Sequence, residues 1–348
     1  MRVKSAFALT TALIALAFAM ALFAAPCAFA ADSLKASYNG GQASSFSSVK
    51  DVNNWLAKSV KSNGSGGTYT ITLNGDVKAN APLEIPAKAN VVLNLESFKF
   101  DRGMTSANSN GHAILVKSGA KLTINGKNRR TQTLSLWNIR GEKYSQSVDN
   151  VGGVVTGGYS TNKAGGIHIQ GGARVTLNDV TVAGNRAEQN WGSDGYGGGI
   201  WANGSDVQLC LNNSIVTGSY AYNDGGGIYR NGSLFGLYMV GSRVDYNYAD
   251  RNGGGIATTK DDTMISGDAK TTVSGNSCGG SDGGGIYAKG ETTIKGFTVA
   301  DNTSPKCGGG IYIDSNSGIS GLAIRNNKSG EGGGIYFGWI INKFFAPL

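Results

Sequence analysis

Few residues in this chain have the type and spacing that catalysis would need. Cleaving a carbohydrate takes paired carboxylates, or clustered acids holding calcium beside a base. The nearest approach is a recurring polar position, Tyr196, Asp224, Asn252, Asp282, Cys307 and Glu331, each four residues before an isoleucine that follows glycines. Asp and Asn beside glycine are turn formers, and Asp261-Asp262 reads as a loop pair. His112 and His168 lie in no catalytic motif, and two histidines make a poor metal set. The expectation is therefore no catalytic residue, no metal site and no cofactor.

A second recurring position carries a different chemistry. The residue after each such isoleucine is His168, Trp201, Tyr229, Ala257, Tyr287, Tyr312 or Tyr336. If the isoleucine points inward, strand alternation turns its successor outward. Trp201, Tyr229, Tyr287, Tyr312 and Tyr336 then form a candidate exposed binding column, suited to sugar rings or protein partners. A ladder that merely stabilises neighbouring strands explains the same repetition more plainly. Cys278 and Cys307 both fall between an Asn marker and the next glycine triplet, which makes them the candidate disulfide, although they stand eight and four residues from their isoleucines.

The elements that position these residues come from a repeat. Gly-Gly-Ile ends at Ile167, Ile200, Ile228, Ile256, Ile286, Ile311 and Ile335, at intervals of roughly 24–33 residues, within the range of solenoid repeats. Between these copies runs Val/Ile-x-x-Asn, as in Val182 to Asn185, Val244 to Asn247, Val273 to Asn276, Val299 to Asn302 and Ile324 to Asn327, with Val216 and Ser219 as a degenerate copy. Three residues before the Asn position the column is always Val or Ile. Eight before it stand Leu177, Leu211, Met239, Asp268, Ile294 and Ile319. Steps of two are strand periodicity, and the step of three between the columns eight and five before Asn marks a corner. Each repeat is then one coil of about three short strands. Such a coil buries its apolar side chains only when stacked on others. The glycines fit a tight turn, and the Asn fits a left-handed turn residue stacking on its copy in the next coil.

The paired signatures resemble the Gly-Gly-Ala-Ile and Phe-x-x-Asn repeats of chlamydial polymorphic outer-membrane proteins and related bacterial adhesin-like β-helix proteins, over about residues 165 to 338. That resemblance implies an all-β, right-handed parallel β-helix displayed at a cell surface, with partners among host or matrix glycans and proteins. A polysaccharide-active enzyme of the pectate-lyase kind, or a passive stalk, is the alternative on the same scaffold.

The remaining segments frame this array. Arg2 and Lys4 precede an uncharged stretch closing on Ala28-Phe29-Ala30, so residues 1–30 read as a cleaved signal peptide and the mature chain as secreted or cell-surface, with no transmembrane helix after cleavage. Residues 31–66 read as a cap segment in which Ser48-Val49-Lys50-Asp51 opens a helix over 48–62 with Val49, Val52, Leu56 and Val60 on one face. Residues 67–164 read as irregular first coils, with a long loop or side insertion over 127–159 of the kind that often carries function, and residues 339–348 as a tail that caps the array or marks a truncation. The 55 glycines against five prolines exclude collagen, and the net charge of +8 is spread without the basic stripe that nucleic acid would require.

Overall fold

The computed structural model describes residues 33–161, 164–189 and 195–338. The expected signal peptide and the tail from 339 lie outside the described residues. What the structure shows is a parallel β-helix. Each coil of the array runs from the isoleucine strand (as Ile200–Asn203) to a second strand (Val207–Asn212), a third carrying the valine (Ile215–Thr217) and a two-residue arm (Tyr220–Ala221) before the next glycine triplet.

Stacking converts the sequence columns into continuous ladders. Leu83, Ile114, Ile167, Ile200, Ile228, Ile256, Ile286, Ile311 and Ile335 are successive parallel partners in one nine-stranded sheet. Phe100, Val155, Val182, Val216, Val244, Val273, Val299 and Ile324 do the same in another. Both ladders belong to one core that runs the length of the solenoid.

The column eight residues before Asn does not hold. Met239 stacks on Leu211, whereas Ile294 and Ile319 belong to the ladder of Leu209, Leu237 and Ile265. Asp268 lies in the corner between two strands, where its Oδ1 accepts from Gly241 N (3.0 Å) and Thr271 Oγ1 (2.7 Å). Counting back across this corner shifts the register because the corner varies in length.

The Asn marker stacks as expected, but its backbone is not left-handed. The residue before it is: Gly184, Gly218, Tyr246, Gly275, Asp301 and Asn326 all have positive φ. The Asn itself is buried and points inward. Asn247 Nδ2 donates to Val216 O and to Asn276 Oδ1, Asn276 Nδ2 to Val244 O and Asn302 Oδ1, and Asn302 Nδ2 to Val273 O and Asn327 Oδ1, over 2.8–3.1 Å.

The N-terminal end is closed by a helix, Val49–Asn63, capped by Ser48, whose Oγ accepts from Asp51 N at 3.2 Å. Val49, Val52 and Leu56 are buried against the first coil. Asn53 also pairs with the exposed edge of the isoleucine sheet, donating to Pro82 O and accepting from Glu84 N, which satisfies backbone groups that an open edge leaves free. Leu34–Tyr38, flanked by Ser44–Phe46, adds antiparallel to Thr68–Leu73 and covers the edge of the largest sheet. Among the described residues, no helix is long and apolar enough to cross a membrane.

Of the two readings for residues 127–159, the structure shows the side insertion and not a loop. Arg130–Trp137 and Lys143–Val151 form an antiparallel hairpin, and Gly153–Thr156 returns to the valine sheet. Leu134, Leu136 and Val148 on one face of the hairpin pack with Val151, Val154 and Ala183, a second core outside the solenoid.

Candidate functional site

The aromatic column sits outside the coil core, as alternation requires, yet it is not an exposed platform. Trp201, Tyr229 and Tyr287 are only 8%, 4% and 9% exposed. The cause is the turn before each isoleucine. At Gly225 (φ 70°) the backbone folds so closely across the strand that a Cβ would stand 2.8 Å from Tyr229 Cα. Neighbouring rings cover the faces: Tyr196 stacks on Tyr229 at 4.3 Å, His168 on Trp201 at 4.9 Å, Tyr287 on Tyr312 at 5.2 Å and Tyr312 on Tyr336 at 5.6 Å. Both histidines join this stack, His112 meeting His168 edge-on. Burial pushes the Tyr229 and Tyr287 hydroxyls up in pKa. Only Tyr312 and Tyr336 keep partial exposure. The column works chiefly as a ladder.

The polar position four before the isoleucine is a ladder of turn formers. Asp224 Oδ1 accepts from Asn252 N and Nδ2, Asn252 Oδ1 from Asp282 N, and Asp282 Oδ1 from Cys307 N, over 2.9–3.2 Å. In this register the candidate disulfide is not formed. Cys307 pairs with Asp282, four residues past Cys278, and Cys210, Cys278 and Cys307 are all free thiols.

The surface that collects reactive and aromatic groups lies beside the hairpin of residues 130–151. The hairpin is latched by Arg186. Its Nε and Nη2 bond Glu188 Oε2 (2.9 and 2.6 Å), its Nη1 bonds Gly141 O (2.7 Å), and its guanidinium lies 4.4–5.1 Å from the Trp137, Tyr159 and Tyr220 rings. Gly218 makes the close approach possible, since a Cβ there would stand 2.6 Å from Leu136 Cβ.

Between the strand Lys143–Val151 and the valine sheet run two adjoining cavities of about 160 Å³ each. One is lined by Gln146, Asp149, Thr217, Arg243, Asp245 and Tyr246. The other is lined by Trp137, Ile139, Tyr144, Tyr246 and Tyr248. Tyr246 is shared, and it is 56% exposed, with Tyr144 at 36%. Asp245 is 5% exposed and sits 3.2 Å from Arg243 Nε. Burial raises its carboxyl pKa, and the Arg243 charge works in the opposite direction.

The family model described as right-handed β-helix region matches residues 165–339. The chain belongs to the right-handed β-helix family. The match begins at the first glycine of Gly165-Gly166-Ile167 and so covers the coils with the isoleucine, valine and Asn ladders. No match is found among curated proteins or among solved structures. Leu134 and Leu136 in alternation, followed by the Asn138–Gly141 turn and then Val148 and Val151, are the sequence signal for the hairpin.

Proposed function

We propose that this β-helix protein is an exported, adhesin-like binding protein, acting at the cell surface or after secretion on host or matrix glycans or proteins, without catalysis. The observation that carries this reading is the groove beside the hairpin, where an insertion outside the repeat brings Tyr144 and Ile139 beside the exposed Tyr246 of the solenoid. Exposed aromatic side chains on a preorganised scaffold supply contact area with little entropy to lose. Export rests on the basic, then apolar, then small-residue order of residues 1–30.

The test is attachment of the purified protein to surfaces coated with mucin, hyaluronan or matrix protein. The parent should bind at least one, and a Tyr144→Ser, Tyr246→Ser double variant should lose most of that binding at unchanged melting temperature. Product release from pectin or hyaluronan, with or without calcium, would overturn the non-catalytic reading. A secreted form whose first residue is not Ala31 would overturn the expected cleavage site.

A further inference from the structure

We propose that the groove beside the hairpin is a saccharide site in which Tyr246 stacks on one pyranose ring while Asp245 and Arg243 bind adjacent hydroxyls of the neighbouring one. This rests on the reading above that the groove is the contact surface.

Tyr246 is the first reason. It occupies the left-handed position (φ 51°) that is glycine in the coils on either side, Gly218 and Gly275. An aromatic residue there is strained, by about 1–2 kcal/mol. Its ring is not driven there by core packing, because it lies exposed across Gly275, where a Cβ would come within 2.8 Å of it. Backbone strain that places a ring in water, at the junction of two cavities, is what a stacking platform requires.

Asp245 is the second. In its outward column the partners one and two coils away are Ala183, Thr217, Ser274 and Ala300, all small, as a surface under a hairpin should be. Asp245 puts a carboxylate among these small neighbours. Its Oδ1 is buried and makes no hydrogen bond of good geometry, although the Thr217 hydroxyl acts on the carboxyl, and Arg243 Nε is ion-paired with Oδ2 at 3.2 Å without the alignment of a hydrogen bond. Arg243 Nη2 reaches Asp149 O across the groove at 3.3 Å. A buried polar atom without a hydrogen bond needs an explanation, and here Asp245 Oδ1 lies beside an Arg243 guanidinium whose ion pair with Asp245 Oδ2 leaves Nε poorly aligned, both on one cavity wall.

The ligand class follows from that pairing. Adjacent hydroxyls on a pyranose are each donor and acceptor, so one donates to the carboxylate while its neighbour accepts from the guanidinium. The C–H face of the next ring then meets Tyr246 and Tyr144. The two cavities together reach the lower end of the ~300–1,000 Å³ range of ligand pockets, enough for a short oligosaccharide lying along the hairpin strand. A peptide carries no rigid pair of neighbouring hydroxyls.

The experiment is titration calorimetry of the full chain with cellohexaose, chitohexaose and mannohexaose, repeated with Tyr246→Gly and Arg243→Gln. Tyr246→Gly restores the residue of the adjacent coils, so it should melt no lower than the parent while losing affinity about tenfold or more. Arg243→Gln should weaken the same oligosaccharide to a similar degree. Unchanged affinity in both variants would overturn the proposal by locating the saccharide elsewhere. Binding of none of the three hexasaccharides, with attachment to a protein-coated surface still lost in Tyr246→Gly, would also overturn it and leave the groove as a protein-contact surface. Loss of neither in any assay would reject the groove as the contact surface as well.

Discussion

Replacing Asn276 by Ala should be among the most destabilising single changes available on the solenoid. The side chain donates to Val244 O (2.8 Å) and Asn302 Oδ1 (3.0 Å) and accepts from Asn247 N and Asn247 Nδ2 (3.0 and 3.1 Å). Two of these partners survive the substitution. Asn302 Oδ1 keeps the Asn276 backbone N–H, and Asn247 Nδ2 keeps Val216 O. Val244 O and Asn247 N lose the amide that served them, in a region where Val244, Asn247 and Val273 are at most 1% exposed. At about 1–3 kcal/mol for each buried group left unsatisfied, the loss is about 2–6 kcal/mol. Urea denaturation followed by circular dichroism measures it, and amide exchange at Asn247 localises it. A loss below about 1 kcal/mol, or an Asn247 amide no less protected than in the parent, would refute the ladder as a stabilising element.

Other substitutions probe the remaining polar features. Arg230 is wholly buried with its guanidinium over Phe235 and with Nε and Nη2 making no hydrogen bond to described residues; burial lowers its pKa to about 10. Arg230→Met should therefore be neutral or stabilising by up to about 3 kcal/mol in thermal denaturation, and a loss of more than about 2 kcal/mol would show that the cation is needed. Arg186→Ala should unlatch the hairpin, seen as faster exchange and proteolysis over residues 130–151 while the coils beyond residue 243 stay protected. Asp224 is largely buried and its carboxyl pKa is raised by that burial against the hydrogen bonds from Asn252. A raised folded pKa means a contribution fully present below the unfolded value of about 3.9 and lost as pH rises through the folded value. Asp224→Asn should thus be more stable than the parent at neutral pH, with the difference vanishing in acid.

The ladders were legible because their residues recur in every coil: Ile200, Ile228 and Ile256, or Val216, Val244 and Val273, keep a fixed place relative to a glycine triplet or an Asn. The helix over Val49–Asn63 was legible from its cap and its apolar spacing. What failed was whatever depends on contacts between coils or outside them. Tyr229 faces outward as alternation demands, but a turn folded across it could not be read from its own strand. Cys278 and Cys307 share an interval between markers, not a register. Asp268 falls in the column eight before Asn only because the count crosses a corner of variable length. The hairpin is paired only with itself, so no period announces Leu134 opposite Gln146. The groove had one visible sign, Tyr246 standing before Asn247 where glycine stands in the adjacent coils, Gly218 before Ser219 and Gly275 before Asn276.

Hydrogen exchange with and without a bound ligand, using whichever mucin, hyaluronan or matrix surface retains the protein, distinguishes the hairpin groove from the tyrosine column as the contact surface. Added protection is expected over residues 143–149 and 243–248, with little change over residues 311–313 and 335–337 at the exposed end of the aromatic ladder. Protection confined to residues 311–313 and 335–337, with residues 143–149 and 243–248 unaffected, would contradict this expectation and return the binding surface to the tyrosine column.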